Sequence, residues 1–121
     1  MSRAKASEIP PDRLAAYDAL IAKIPGLERK GAAMAYTSLN GHMFSYMNGE
    51  GVLALRLPSS ERDAFMRLFD APLHQAYGVV QKDYVTVPES LVADTETLEP
   101  YFQASYRFIA TLKPKATKRG G

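Results

Sequence analysis

The sequence contains no cysteine. Disulfides, thiolate metal sites and cysteine nucleophiles are thereby excluded, and the absence is compatible with a reducing compartment. No hydrophobic run approaches the ~18 residues of a membrane-spanning helix. The opening stretch, MSRAKASEIPPDR, lacks the apolar segment of a secretory signal. The expectation is a cytoplasmic chain with no membrane partner. Histidine is scarce: His42 and His74 are the only two, and neither has the spacing of a metal motif. They are expected at the surface or at strand ends, and no metal site is assigned. There is no dinucleotide fingerprint, P-loop or Gly-x-Ser-x-Gly motif. No cofactor is therefore expected, and no serine among Ser38, Ser45, Ser90 and Ser105 is assigned as a catalytic nucleophile. Ser105 is expected as a small packing residue bonded back to its own helix.

What is present fits one globular domain. The chain has 121 residues, of which 46% are hydrophobic and 23% charged, enough for one core without staples. The formal charge of +2 is uneven, because Lys113, Lys115, Lys118 and Arg119 supply four positive charges at the C-terminal end. Residues 1–112 are mildly acidic, which argues against nucleic acid as a partner of the domain itself. The division expected is a loose N-terminus over 1–8, a single domain over 9–113 and a basic, disordered tail over 114–121.

Periodicity predicts the elements. Pro10 and Pro11 open a helix whose stripe is Leu14, Tyr17, Ile21 and Ile24, and Pro25-Gly26 ends it. Residues 32–37, 42–47 and 52–57 read as strands, joined at Asn40-Gly41 and Asn48-Gly49-Glu50-Gly51. Ser60 with Asp63 predicts a capped helix through Phe69, with Ala64, Phe65, Leu68 and Phe69 on one side. Residues 73–80 and 83–87 read as a fourth and a fifth strand. In the last helix, Leu98, Tyr101, Phe102, Ser105, Phe108, Ile109 and Leu112 form the inner stripe. Thr97 is favoured over Asp94 as its N-cap, which keeps Pro100 in the first turn.

The fold class that follows is α+β, a two-layer sandwich of order α-β(3)-α-β(2)-α with a five-strand antiparallel sheet and helices on one face. Alternation puts Leu53, Leu55, Leu57, Val85 and Val87 under the helices. Arg56, Lys82, Tyr84 and Thr86 then point to the other face. In 42–47 the set His42, Phe44 and Tyr46 is preferred inward. The helix-free face is a candidate partner surface, and a homodimer packed on it is the expectation. Lys30, Tyr36, Arg56, Lys82 and Tyr84 are candidates for an anion-binding patch. Ordinary lysines shielding a strand edge are the alternative.

The run Arg29-Lys30-Gly31-Ala32-Ala33-Met34, then Gly41-His42-Met43-Phe44 and Leu53-Ala54-Leu55-Arg56-Leu57, resembles the N-terminal domain of TfoX/Sxy-type proteins. The segment Lys82-Asp83-Tyr84-Val85-Thr86-Val87-Pro88, followed by Leu91 and Asp94, is similar to that family's strand before its final helix, and Tyr101, Ser105 and Leu112 continue the likeness. The resemblance spans about residues 12–113. Where the family has a Met-Phe-Gly-Gly-like entry, this chain has Gly-Ala-Ala-Met-Ala-Tyr. The resemblance implies a secretion-chaperone-like fold of the same element order. It implies no catalytic residues, and a regulatory role linked to bacterial DNA uptake belongs to the longer family members. Three functions stay open from the sequence: a non-enzymatic interaction or regulatory module with a protein partner; a small-molecule or anion binder or enzyme using the Lys/Arg/Tyr patch; and a weak nucleic-acid binder.

Overall fold

A computed structural model describes residues 9–31, 35–76 and 78–114. The expected loose N-terminus and almost all of the expected tail lie outside the described residues. The elements are α1 (Pro11–Ile21), β1 (Ala35–Leu39), β2 (His42–Met47), β3 (Leu53–Arg56), α2 (Ser59–Phe69), β4 (Leu73–Ala76), β5 (Val79–Val87), α3 (Glu89–Val92) and α4 (Thr95–Ala110). The five strands form one antiparallel sheet in the order β1-β2-β3-β5-β4. The α+β class and the element order follow the expectation, with the short α3 added.

Local chemistry accounts for the meander. Asn40 and Gly41 both adopt positive φ, 56° and 80°, the conformation of a tight two-residue hairpin turn. In the next turn the Asn48 side chain accepts from the amides of Glu50 and Val52 at 2.9 and 3.0 Å. Gly51 there has φ 85°, and a Cβ on it would meet Arg13 Cγ at 2.9 Å, so the position tolerates only glycine.

The helices share one layer. Phe102 of α4 meets Phe44 at a ring separation of 5.6 Å. Phe65 of α2 packs edge-on against Tyr101 of α4 at 5.1 Å. Tyr17 of α1 places its hydroxyl 2.7 Å from Ser45 Oγ, which in turn lies 2.5 Å from Thr37 Oγ1. Leu53, Leu55, Val85 and Val87 join the same core, each burial stabilising by about 1.5–3 kcal/mol.

Several expectations are corrected. Along β2, Ser45 and Met47 point to the helices together with Phe44, while Tyr46 points to the other face. The cause is a bulge: Thr37 pairs with Ser45 but Ser38 with Met43, so Phe44 is the unpaired extra residue and turns inward. The expected fourth strand over 73–80 is split by a turn at Gly78, φ 76°, and Val79 and Val80 begin β5. The expected capping box of Ser60 with Asp63 is absent; Pro58 precedes α2 with no side-chain cap. Leu68 is 67% exposed and does not belong to the buried side of α2. Asp94, not Thr97, caps α4, accepting from the Thr97 amide and hydroxyl. Pro100 consequently lies inside the helix, beyond the first turn. Ser105 Oγ donates across to the Arg56 carbonyl of β3 and not to its own helix.

Candidate functional site

The side chains that face away from the helices come from all five strands. Tyr36 of β1 stands directly opposite Tyr46 of β2, Tyr46 opposite Ala54 of β3, and Ala54 opposite Thr86 of β5. One rung along, Tyr84 lies beside Tyr46 with ring centroids 5.9 Å apart, and its hydroxyl donates to the Met43 carbonyl at 2.7 Å. His74 reaches in from β4. Its ring meets Tyr46 edge-on at 5.2 Å, and its Nδ1 lies 3.1 Å from Thr86 Oγ1. The face is thus an aromatic surface over strands whose small residue, Ala54, is sealed beneath the rings.

Burial sets the electrostatics of this face. Desolvation pushes the Tyr84 phenol up to about 12, against a smaller opposing pull from the Arg56 guanidinium. Burial likewise holds the His74 imidazole below its usual range. His74 is only 5% exposed, against the expected surface position, whereas His42 opens β2 at a strand end as expected. Alternation in residues 84–86 marked Tyr84 and Thr86 as outward. What the sequence concealed was the register that delivers His74 and Tyr46 to the same patch.

The five candidate residues form two separate pairs and a remainder. Lys30 forms a bridge with Tyr36 outside β1, exchanging backbone hydrogen bonds of 2.8 and 3.0 Å, and its Nζ reaches Ser38 Oγ at 3.1 Å. Arg56 pairs in register with Tyr84. Three strand spacings, about 14 Å, separate β1 from β5. Arg56 also turns toward the helix layer: its guanidinium carbon lies 5.8 Å from the Phe108 ring centroid, and an Nη lies 3.8 Å from Asp83. Its Nε is buried without a hydrogen-bond partner. Lys82 is exposed, and its carbonyl accepts from Arg62 at 2.8 Å. A cleft of about 310 Å³ between Pro25–Glu28 and Ser38–Leu39 includes Lys30 but none of the other four candidates.

The histidines are apart. His42 donates from Nε2 to the Lys113 carbonyl at 2.9 Å on the helix side, whereas His74 lies on the opposite face. Among the described residues no group of three or more His, Asp or Glu gathers. Of the serines, Ser45 is sealed within the core and bonded to Tyr17 and Thr37. Among the described residues, no helix is long and apolar enough to cross a membrane.

Comparison with protein-family models, with curated proteins and with solved structures yields no match for this chain.

Proposed function

We propose that this chain is a non-enzymatic protein-interaction or regulatory module, whose working surface is the sheet face turned away from the helices. The observation that carries the reading is the row Tyr36–Tyr46 with Tyr84 and His74 beside it, an aromatic patch on the side opposite the helix layer. Aromatic side chains of this kind supply large, rigid contact area with polar tips for orientation. The resemblance to the TfoX-type N-terminal domain implies a regulatory module, and the α+β fold is compatible with it. A cytoplasmic location and a homodimer belong to the same proposal.

A direct test compares the wild-type chain with a Tyr36→Glu variant as immobilised bait, read by quantitative mass spectrometry. The reading expects a protein retained by the wild type and lost from the variant. Equal retention by both, or measured turnover of a metabolite with no protein retained, overturns it. The anion-binding reading has weaker support, because Lys30 lies beyond the β1 edge of the sheet, away from Arg56 on β3, and Arg56 is engaged by Asp83 and Phe108. The nucleic-acid reading is checked by retention on a polyanion column after removal of residues 113–121, since salt-sensitive binding by the remaining domain is what it requires.

A further inference from the structure

We infer that two copies of this chain join edge to edge through β4, continuing the sheet across a two-fold axis. The inference rests on the reading of the chain as an interaction module and specifies where copies meet, leaving the aromatic face for a different partner.

The two edges of the sheet are unlike. β1 is shielded, because Lys30 bonds to Tyr36 along its outer side and places a charge there. β4 has β5 on one side only. Residues 71–81, Ala-Pro-Leu-His-Gln-Ala-Tyr-Gly-Val-Val-Gln, contain no Asp, Glu, Lys or Arg, in a chain that is 23% charged. The protective charge usual on a free edge is missing where it is most needed.

Geometry then selects the pairing. Ala76 opposes Val79 across a two-residue connection, so that pair closes the hairpin with hydrogen bonds. Antiparallel ladders alternate, and the next pair, Gln75 with Val80, is the one without mutual bonds. The amide and carbonyl of Gln75 therefore point outward from β5. A second copy related by a two-fold axis through this residue places Gln75 opposite Gln75, each amide donating to the other's carbonyl. Such an isologous contact is self-complementary. It sets no like charges against each other.

Apolar exposure is concentrated at the same end. The large exposed hydrophobic residues of the described surface are Val79 at 59%, Val80 at 43% and Leu68 at 67%. Val80 shares a face with Gln75, its register partner. Leu68 belongs to α2, the helix that packs on β5. An edge pairing brings the Val80 side chains of both copies alongside the central glutamines and removes them from water.

The test is equilibrium sedimentation of the full chain at tens of micromolar, with three variants. Gln75→Pro deletes the outward amide and spares the hairpin's own ladder, as proline on an edge does. Val80→Lys adds the missing charge. Tyr36→Glu changes the aromatic face instead. A wild-type dimer weakened at least tenfold by both edge variants, and unaffected by Tyr36→Glu, is the expected result. A wild-type monomer overturns the inference while leaving the bait experiment free to support the module. A dimer weakened by Tyr36→Glu but not by the edge variants overturns it in favour of the face. Should either edge variant unfold, amide exchange in the wild type decides: the Gln75 amide slows as concentration rises if copies meet at β4, and a rate independent of concentration rules the pairing out.

Discussion

Tyr17 of α1 and Ser45 of β2 meet hydroxyl to hydroxyl at 2.7 Å inside the core. Ser45 also serves Thr37 at 2.5 Å, so one small side chain satisfies two larger ones. The chain of three hydroxyls ties the first helix to the β1–β2 hairpin. It holds Ser45 inward, which is the state that the Phe44 bulge makes compatible with an inward Phe44.

Ser45→Ala is therefore expected to be more damaging than its single lost oxygen suggests. It strands the hydroxyls of Tyr17 and Thr37, at about 1–3 kcal/mol for each one left unpaired. Tyr17→Phe leaves Ser45 bonded to Thr37 and is expected to cost about 1 kcal/mol. Urea unfolding of both single variants and the double variant checks this, and the double is expected to cost less than the sum, because the groups share one network.

Alkaline pH is expected to destabilise the fold through two tyrosines. Burial raises the Tyr17 phenol far above its usual 10.0 and the Tyr84 phenol to about 12. Above pH 10 the unfolded chain releases these protons while the folded chain keeps them, so the unfolded state binds fewer and stability falls as pH rises. Each such tyrosine contributes about 1.4 kcal/mol of loss per pH unit within its window. Chemical unfolding at pH 9 and pH 11 is expected to show a smaller difference for Tyr84→Phe and for Tyr17→Phe than for the wild type.

At the acid end His74 sets the sign. Burial lowers its pKa below 6.5, so between the two values the unfolded chain binds the extra proton and stability falls as pH drops through 6.5. His74→Gln removes that loss. The thermal midpoint of the variant is expected to change less between pH 7.5 and 5.5 than that of the wild type.

Much of this was legible in residue pattern. Asn40-Gly41 gave the hairpin, the leucines at 53, 55 and 57 gave the inner face of β3, and the last helix followed from its apolar spacing. The failures have physical causes. A bulge adds one residue and reverses the alternation behind it, so Tyr46 was placed on the wrong side. The uncharged, glycine-containing stretch 73–80 shows no break in hydrophobicity at its turn, and two strands read as one. Leu68 matches a helical stripe by spacing yet is 67% exposed, since α2 buries only the side carrying Phe65. The candidate cations Lys30 and Arg56 were grouped by residue type, but the strand order that separates them is set by tertiary pairing.

Leu68 and Phe65 offer a matching contrast. Phe65→Ala empties a fully buried site next to Phe69 and Tyr101 and is expected to cost about 3–5 kcal/mol. Leu68→Ser is expected to stay within about 0.5 kcal/mol of the wild type. Denaturant midpoints of the two variants check the assignment of the α2 faces.

On the function proposed above, this chain meets other proteins through its sheet and not through its helix layer. Amide chemical shifts of the isotopically labelled chain, followed as its own concentration is raised, test that most directly. The expected result is shifts confined to the sheet, strongest at residues 73–76 and 79–81. Shifts centred on the outer surfaces of α1 and α4 would rule this out, and none at any concentration would overturn the β4 pairing alone.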